Sequence, residues 1–356
     1  MKILLLSRYE NLGASSRMRF LQYLPFLQAA GIDVTVAPLL DNNYLKNLYT
    51  QKPLNITRIF SAYLHRLMLL FKSSKFDLLL VEKELFPWLP SFAELLLARL
   101  GIPYVVDYDD AVFHTYDTHS KNPFRNILGK KIDTVMRHAA LVIAGNSYLA
   151  GQARQAGAKR VEVLPTVIDL DRYRLLPRTE KDYFSVGWIG TPVTERYLGY
   201  LKPVLAEISG LSARIKLVLI GAHNIKVEGV PMQFRPWSDK TEVADIYDFD
   251  VGIMPLPDSP WERGKCGYKL IQYMACSKPV IASPVGVNQE IVDHGSNGFL
   301  ASTLDEWSES LRILFGNESL RSLMGRAGRE KVENSYCVQV TSSRLATLLK
   351  SVVKEY

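Results

Sequence analysis

The chain has 356 residues, of which 47% are hydrophobic and 22% are charged. This composition is ordinary for a soluble globular protein, and it excludes a disordered, collagen-like or coiled-coil chain as the main class. The length predicts about two domains. The formal net charge of +7 lies entirely within residues 1–165, which hold 20 basic and 13 acidic side chains. We therefore expect anionic partners to meet the N-terminal half first.

Cysteine content and apolar runs bear on the cellular compartment. Three scattered cysteines, Cys266, Cys276 and Cys337, predict neither a disulfide framework nor a zinc site and are typical of a reducing compartment. The apolar run at residues 3–6 is shorter than the core of a signal peptide. No window of about 18 residues is apolar throughout, so we expect no membrane-spanning helix. These features predict a cytoplasmic protein, or one that lies peripherally on the inner face of the membrane.

Short apolar runs in the first half predict strands. They span residues 2–7, 33–39, 77–82, 104–109, 140–146 and 161–165. Most are continuously apolar, which is typical of parallel strands buried on both faces. Helical patterns lie between them, for example at 17–30 and 91–100. This alternation of strands and helices indicates a doubly wound α/β domain.

The second half repeats the pattern. Strands are predicted at 184–190, 215–221, 251–256, 279–283 and 298–302, and helices near 195–209, 268–276, 317–334 and 338–354. A junction rich in proline and aspartate covers residues 165–182. We therefore predict two Rossmann-like domains, residues 1–170 and 171–337, that face each other across a cleft, and a C-terminal helix at 338–356 that packs back toward the first domain. Such a cleft is the default ligand site.

The segment 250–302 carries the strongest signal for a ligand. A loop rich in proline, glycine and charge leads into the predicted helix near Gly267. Helix N-termini attract anions, and glycines such as Gly264 and Gly267 let a backbone approach closely. Arg263, Lys265 and Lys269 add three cations around the helix start. The combination predicts a diphosphate site, and the alternative is a solvated basic loop.

A second loop follows the next predicted strand, at residues 283–288. Gly286 in this loop predicts a turn, or backbone amides that face a ligand. Gln272 and Glu290 are the polar groups placed to bond ribose hydroxyls. Alternatively, Glu290 is a first-turn helix residue that interacts with the helix dipole.

A resemblance to a known family rests on these same residues. The stretch KLIQYMACSKPVIASPVGVNQEIVDHGSNGFL at 269–300 resembles the motif E-A-M-A-x-G-x-P-V-I-A-S-x-x-G-G-x-x-E-I-V-x-x-G-x-N-G-x-L of glycosyltransferase family 4, also described as glycosyl transferases group 1. Similar stretches at 142–173, 186–198 and 324–340 extend the resemblance over essentially the whole chain.

The resemblance implies an α/β protein with the GT-B fold. It also implies a transferase of class EC 2.4 that moves a sugar, with retention, from a nucleotide diphosphate sugar to an acceptor hydroxyl. The donor would bind the second domain, and a saccharide or lipid-linked acceptor would bind the first. Cations around the helix start would remove the need for a metal, and no cofactor is expected. Bacterial surface polysaccharide or glycolipid assembly is the implied setting.

Departures from the family motif concern the donor site. The usual Glu-x7-Glu pair falls on Gly264 and Gln272, and Glu262 stands two residues before the first position. Lys265 and Lys269 are expected to carry the charge for the phosphates. The lost pair motivates a second hypothesis, a catalytically silent nucleotide-sugar-binding partner of an assembly complex. A third hypothesis keeps the fold but gives it phosphorylase or epimerase chemistry on a sugar nucleotide.

Other donor-binding candidates lie in loops that carry glycine. The second glycine of the family's Gly-Gly pair is Val287, which precedes Asn288. In the first loop of the second domain, Gly190 is followed by Arg196, and the family's basic residues there have no clear match. Gly13 resembles the family's first glycine-bearing loop, although an ordinary helix N-terminus explains it equally well.

Four carboxylates are the catalytic candidates. Asp109 and Asp110 follow a buried strand, and Glu82 and Glu84 end the strand before it. Under the resemblance, Asp109 falls where many family members have a histidine that contacts the donor sugar. Asp109 or Asp110 is predicted to orient a sugar hydroxyl or to stabilise positive charge at the anomeric carbon. One of the four is predicted to take the acceptor proton.

Two weaker signals accompany these carboxylates. The Asp-x-Asp spacing at 107–109 invites a metal interpretation. The same spacing at 248–250, where a structural role is expected, shows that the pattern has little specificity, and we predict no metal. His114 and His119 are weak candidates because a lone loop histidine is more often solvated.

Residues 58–75 predict a basic amphipathic helix with Ile59, Tyr63, Leu67 and Leu70 near one face. Packing of that face on the core is the favoured interpretation. Combined with the one-sided charge, the helix also suggests contact with a membrane surface through the basic half. No motif for nucleic-acid binding accompanies the basic residues, so we expect no nucleic-acid partner.

Overall fold

Parallel strand pairing builds both sheets of the molecule. The computed structural model describes residues 1–117, 125–177 and 181–355. These residues divide into two units. The first contains Met1–Val167, Gly264–Cys266 and the C-terminal helix, and the second contains Ile168–Arg263 and Gly267–Cys337.

The sheet of the first unit has six strands in the order β2-β1-β3-β4-β5-β6. The strands are β1 Lys2–Leu6, β2 Asp33–Val36, β3 Leu78–Glu82, β4 Tyr104–Tyr108, β5 Leu141–Ala144 and β6 Val161–Val163. All neighbours pair in parallel. Every residue of β3, β4 and β5 is buried, which accounts for the continuous apolar runs in the sequence.

The sheet of the second unit also has six parallel strands, in the order β12-β11-β10-β7-β8-β9. They are β7 Phe184–Ile189, β8 Ile215–Ile220, β9 Met232–Arg235, β10 Val251–Met254, β11 Val280–Ala282 and β12 Gly298–Leu300. No apolar run marks β9, because this strand lies at the sheet edge and none of its residues is buried.

Helices flank both sheets. They are α1 Ala14–Arg19, α2 Leu24–Ala29, α3 Asn42–Tyr49, α4 Ile56–Leu70, α5 Phe92–Arg99, α6 His114–Asp117, α7 Arg125–Leu128, α8 Lys131–His138, α9 Ser147–Gln155, α10 Lys202–Leu211, α11 Glu242–Tyr247, α12 Pro260–Arg263, α13 Tyr268–Ala275, α14 Asn288–Ile291, α15 Leu304–Gly316, α16 Glu318–Ser335 and α17 Val338–Glu355. The alternation of these helices with parallel strands is the predicted doubly wound α/β architecture.

The predicted helix at 17–30 is not continuous. Helix α1 starts earlier, at Ala14, and a 3-10 turn at Leu21–Tyr23 separates it from α2. Pro25 lies in the first turn of α2. A proline within a continuous helix would remove one hydrogen bond and clash with the carbonyl four residues earlier, so the helix restarts just before it.

Helix α4 is shifted from its predicted span of 58–75. It begins at Ile56, where the Asn55 side chain accepts a hydrogen bond from the Arg58 amide at 3.0 Å, and it ends at Leu70. On the predicted inner face, Tyr63 and Leu70 pack on the core of the first unit. Leu67 was predicted on that face, but it is exposed.

The C-terminal helix α17 packs within the first unit. The hydroxyl groups of Tyr23 and Thr341 lie 2.8 Å apart, and the Lys350 ammonium donates to the Ala30 carbonyl at 2.7 Å. The chain therefore contributes both its first and its last helices to one unit.

Across residues 1–117, 125–177 and 181–355, no helix is both long enough and apolar enough to cross a membrane.

Candidate functional site

The carboxyl edge of the first sheet gathers buried charge. Strands β3 and β4 end side by side, and the residues that follow them are the predicted catalytic carboxylates. Loops at this edge of a parallel sheet are the usual place for ligand sites. Each carboxylate has specific neighbours, and these decide what it can do.

Asp109 pairs with a lysine that the sequence did not single out. The Lys83 ammonium lies 2.8 Å from Asp109 Oδ1 and 3.6 Å from Asp110 Oδ2. It also donates to the Ser15 hydroxyl at 3.3 Å. Lys83 has a positive φ of 63°, which is uncommon for a non-glycine residue and aims its side chain from the end of β3. The only sequence signal for this residue was its place directly after a buried strand.

The neighbouring aspartates have opposite pKa shifts. Burial alone would raise the pKa of Asp109, but the charge and hydrogen bond of Lys83, the hydrogen bond from Ser15 and the charge of Arg19 together hold that pKa below its usual value. For Asp110, burial and the charge of Asp109 together raise the pKa above its usual value. Two adjacent carboxylates with separated pKa values can take different roles, one fixed as an anion and one able to exchange a proton.

Glu82 ties β3 to the first helix. Its Oε2 atom accepts from the Ser16 hydroxyl at 2.6 Å and from the Arg8 amide at 2.8 Å. Its Oε1 atom is buried and has no hydrogen-bond partner among the described residues. Burial raises the pKa of Glu82. The side chain is inaccessible to solvent, so any proton transfer by Glu82 would require a neighbouring group to move.

Glu84 is more completely paired. It accepts from the Lys131 ammonium at 2.5 Å and from the Tyr116 hydroxyl at 3.0 Å, and Arg8 lies 3.7 Å away. Both Glu84 and Lys131 are almost fully buried. These contacts join the end of β3 to α6 and α8 and give Glu84 a structural function.

A second buried pair stabilises the same edge. Arg19 of α1 donates two hydrogen bonds to Asp107, at 2.8 and 2.6 Å, and one to the Leu164 carbonyl at 2.8 Å. Asp107, the first aspartate of the Asp-x-Asp pattern, is therefore bound to an arginine. Within the described ranges, no group of three His, Cys, Asp or Glu side chains is arranged to hold a metal ion.

Residues 264–266 belong to the first unit and contact this edge. Asn146 donates to the carbonyls of Gly264 and Lys265, each at 3.0 Å. The Lys265 ammonium lies 4.0 Å from Asp110. A Cβ atom on Gly264 would lie 2.4 Å from the Ala111 Cβ, so there is no room for a side chain at the position of the family's first glutamate. Lys265 thus faces a carboxylate, and its predicted contact with a phosphate stays a prediction.

His114 lies near this region but is occupied. Its ring nitrogens contact Asp117 at 3.0 Å and the Tyr148 hydroxyl at 2.8 Å. His119 lies outside the described residues.

Gly13 immediately precedes α1. A Cβ atom there would lie 2.5 Å from the Tyr9 Cβ, so close packing accounts for the glycine.

In the second unit, the start of α13 has the features expected of an anion site. Gly267 precedes the helix with a left-handed φ of 64°, and no side chain of the described residues caps the helix. A Cβ on Gly267 would lie 2.3 Å from Ile291 Cδ1, so a larger residue does not fit. The uncapped first turn and the helix dipole favour a bound anion.

Lys269 extends from this first turn toward the loop after β7. Its ammonium lies 4.2 Å from the centre of the Trp188 ring and donates to the Thr194 hydroxyl at 3.5 Å. Gly190 in the same loop has no space for a Cβ, which would lie 2.4 Å from the Trp188 ring. The end of β7 and the start of α13 thus come together around one lysine. Trp188 and Thr194 were not predicted, although both lie in the stretch that resembles the family.

Glu262 is buried beside this loop. It accepts from the Tyr197 hydroxyl at 2.6 Å and from the Ser259 hydroxyl, and Arg196 lies 3.8 Å away. Burial, followed by the hydrogen bond to Glu262, raises the pKa of Tyr197 to about 12. Arg196 itself is 65% exposed. Arg196 can reach a ligand, whereas Glu262 already accepts two hydrogen bonds.

Arg263 and the glycine loop complete this part of the second unit. Arg263 forms two hydrogen bonds with Asp258, at 2.6 and 2.9 Å, on the surface. Gly286 has a left-handed φ of 55°, and a Cβ there would lie 2.6 Å from the Arg263 carbonyl oxygen. Buried Val287 lies close to Gly267, and buried Asn288 donates to the Ser283 carbonyl at 3.0 Å. Both residues shape the loop.

The two groups predicted to bond ribose lie in different environments. Gln272 is buried and donates to the Tyr173 hydroxyl at 2.8 Å, and Tyr173 donates to Glu242 at 2.6 Å. Glu290 lies in the short helix α14 and is exposed. Of the two, Glu290 is the group that a ligand can reach without rearrangement.

Comparison with known proteins agrees with this architecture. The model described as Glycosyltransferase Family 4 matches residues 20–172, and the model described as Glycosyl transferases group 1 matches residues 184–317. The capsular polysaccharide biosynthesis glycosyltransferase CapM of Staphylococcus aureus is 25% identical over 197 residues. That match covers 52% of each chain, so it spans about half the length of this relative.

Solved structures match over almost the full length. Anabaena Alr3699/HepE in complex with UDP-glucose gives a TM-score of 0.72 at 18% identity and covers 99% of this chain and 100% of that chain. Sucrose-phosphate synthase from Thermosynechococcus elongatus gives 0.70 at 16% identity and covers 100% of both chains. At these identities the two structures show the fold alone. Because the two family models together extend from residue 20 to residue 317, the chain belongs to the family 4, or group 1, glycosyltransferases of the GT-B fold.

Proposed function

We propose that this chain transfers a sugar from a nucleotide diphosphate sugar to a hydroxyl group of a saccharide or lipid-linked acceptor. The observation that carries the proposal is the uncapped start of α13, where Gly267 and Lys269 meet the loop after β7. Family membership supports this function, as does the UDP-glucose bound in Alr3699/HepE. The role of CapM in capsular polysaccharide biosynthesis supports a setting in surface polysaccharide or glycolipid assembly.

In this proposal the diphosphate binds at the start of α13. Backbone amides of the first turn and the helix dipole stabilise the phosphates. Lys269 neutralises the charge that develops on the leaving nucleotide, so residues of this chain supply the required positive charge without a metal ion. Exposed Arg196 is placed to contribute a second cation. Lys265 has a smaller part in phosphate binding, because it faces Asp110.

The acceptor binds the first unit, where Asp110 is the best candidate for the general base. Its side chain is 35% exposed, and its raised pKa brings it closer to the range in which a carboxylate accepts a proton efficiently. Asp109 remains ionised beside Lys83 and stabilises positive charge on the sugar. No protein nucleophile is required if the acceptor attacks from the face that the nucleotide leaves, and that path retains the anomeric configuration.

Binding of nucleoside diphosphates tests the donor site. Thermal shifts with UDP, GDP, dTDP, ADP and CMP, each with and without Mg²⁺, should show stabilisation by one diphosphate in the absence of metal. Lys269→Ala should weaken affinity for that diphosphate by more than about tenfold, because it removes the charge nearest the helix start. Lys278→Ala is a matched control. Lys278 also lies over an aromatic ring of the second unit, that of Tyr247, but it follows the opposite end of α13. Equal affinity in wild type and Lys269→Ala would refute the phosphate role.

A second candidate function is that of a catalytically silent binding partner in an assembly complex. It is favoured by Gly264, which has no room for a side chain, and by Gln272, which is buried at the second position of the family's glutamate pair. Diphosphate binding without sugar transfer to any saccharide or lipid-linked acceptor would select this function. Transfer with retention, followed by the anomeric proton signals of the product, would exclude it.

A further inference from the structure

The first unit exposes an apolar stripe on helix α4 that its packing leaves uncovered. Ile56, Phe60, Leu64, Leu67, Met68 and Phe71 recur at the spacing of one helix face, and their exposed fractions range from 38% to 80%. The inner side of α4, which includes Leu69, Leu70 and the buried Arg66, packs on the core, and Tyr63 lies between this side and the stripe. A helix of a water-soluble domain normally turns its polar side to solvent, so apolar residues on the outer side indicate another contact.

A second exposed stripe lies on the neighbouring helix. Leu89, Phe92, Leu96 and Leu100 are exposed along α5 and its flanks, and Trp88 is exposed just before it. Right-handed crossovers from β2 to β3 and from β3 to β4 place α4 and α5 on the same face of the sheet. Phe86 links the two helices, because its ring centre lies 5.7 Å from that of Tyr63 in α4 and 6.0 Å from that of Phe92 in α5. We call the two exposed stripes together the α4–α5 face.

Charge around this face is mainly basic, although Asp41 lies 3.9 Å from Arg58 and the exposed Asp77 follows Phe76. Residues 42–76, which include α3 and α4, contain six basic side chains and no acidic one. Of the six, Arg66 is buried, where it donates to backbone carbonyls. The other five are exposed: Lys46, Lys52, Arg58, Lys72 and Lys75. Lys52 precedes α4, and Lys72 and Lys75 follow it, so exposed cations lie beyond both ends of the apolar stripe.

We infer that the α4–α5 face inserts into the interfacial layer of a bilayer that contains anionic lipids. An apolar helix face with cations at its ends matches a surface whose acyl chains lie beneath negative headgroups. A second copy of this chain would bring the same basic segment opposite itself, and like charges would oppose that contact. The proposal concerns binding alone and does not rest on glycosyl transfer.

Vesicle flotation tests the inference. The full chain should float with vesicles of phosphatidylcholine and phosphatidylglycerol, and far less with vesicles of phosphatidylcholine alone. The triple variant Phe60→Ser, Met68→Ser, Phe71→Ser should reduce the bound fraction by about tenfold or more, because each side chain loses apolar burial in the bilayer. Leu323→Ser is the control, since Leu323 is similarly exposed on α16 of the second unit. Melting curves establish that all variants remain folded.

A second variant separates charge from apolar insertion. Lys72→Glu with Lys75→Glu should also reduce binding to anionic vesicles, and added salt should reduce binding of the wild type. The inference is overturned if the wild type does not float, if it floats equally with both vesicle types, or if the triple variant binds as well as the wild type. It is also overturned if sedimentation shows a dimer that the triple variant converts to monomer, because the face would then be an interface between copies.

Discussion

The two units place charge differently at the carboxyl ends of their strands. The first unit holds three buried or nearly buried ion pairs there, Arg19–Asp107, Lys83–Asp109 and Lys131–Glu84. The second unit relies on close backbone approaches at Gly190, Gly267 and Gly286, with Lys269 beside them. One edge is built from paired side chains, and the other is built largely from backbone.

This difference shows that a charged residue directly after a buried strand can have a structural role and is not by itself evidence of a ligand site. Removing a charge from water is costly unless a partner compensates for it, so the buried Asp107, Asp109 and Glu84 at the first edge have cationic partners, whereas Glu82 accepts from a hydroxyl and a backbone amide. Of the four carboxylates chosen from the sequence, Asp110 is the most exposed. Glycines at the second edge leave room for a ligand to approach backbone amides. Loss of charge should therefore be most damaging at the first edge, and added volume should be damaging at any closely packed glycine, in either unit.

The largest expected effect comes from the Arg19–Asp107 pair. Arg19→Met should lower the free energy of unfolding by about 3–5 kcal/mol, because it leaves Asp107 buried without its counter-charge. Urea denaturation measures the change. Arg312→Met is a matched control, since Arg312 pairs with Glu207 at 2.5 Å on the surface and its loss should change stability far less. Similar losses in both variants would contradict the distinction between buried and exposed pairs.

An intermediate effect is expected at Gly264, where the chain departs from the family. Gly264→Ala should destabilise the protein by about 1–3 kcal/mol, because the added Cβ would lie 2.4 Å from that of Ala111. Combining it with Ala111→Gly should restore part of the loss. Gly151→Ala, in helix α9 with nothing within 4 Å of its added Cβ, should instead stabilise by about 0.5–1 kcal/mol. Thermal or urea unfolding measures these changes in stability. A Gly264→Ala variant with unchanged stability would show that Gly264 and Ala111 do not constrain each other.

The same contrast explains which features of the fold and of the candidate site could be predicted from the sequence. Continuous apolar runs were enough to predict both sheets, because buried parallel strands such as β3 and β4 have that pattern. Edge strand β9 has no such run. The ion-pair partners of the carboxylates could not be predicted, because Lys83 and Asp109 are far apart in the sequence and meet only where β3 and β4 are neighbours in the sheet. The exposed stripe of α4 was missed because a narrow apolar face was expected, and the apolar side chains of this helix extend from its core side around to its solvent side.

The smallest expected change in stability is that of Asp110→Asn, and this variant also separates the effect of Asp110 on stability from its effect on sugar transfer. The folded-state pKa of Asp110 is raised, so its charged form is disfavoured in the folded protein and stability falls as pH rises from the unfolded-state pKa through the folded-state pKa. Asp110→Asn should therefore be slightly more stable than the wild type at pH 7, by less than about 1 kcal/mol because the side chain is 35% exposed, and the gain should vanish below the usual pKa of aspartate. If Asp110 is the general base, the same variant should lose most of its sugar-transfer rate while retaining affinity for nucleoside diphosphate. Unfolding curves at several pH values and single-turnover rates measure the two quantities on one protein. A variant that keeps its rate would refute the role of Asp110 as the general base.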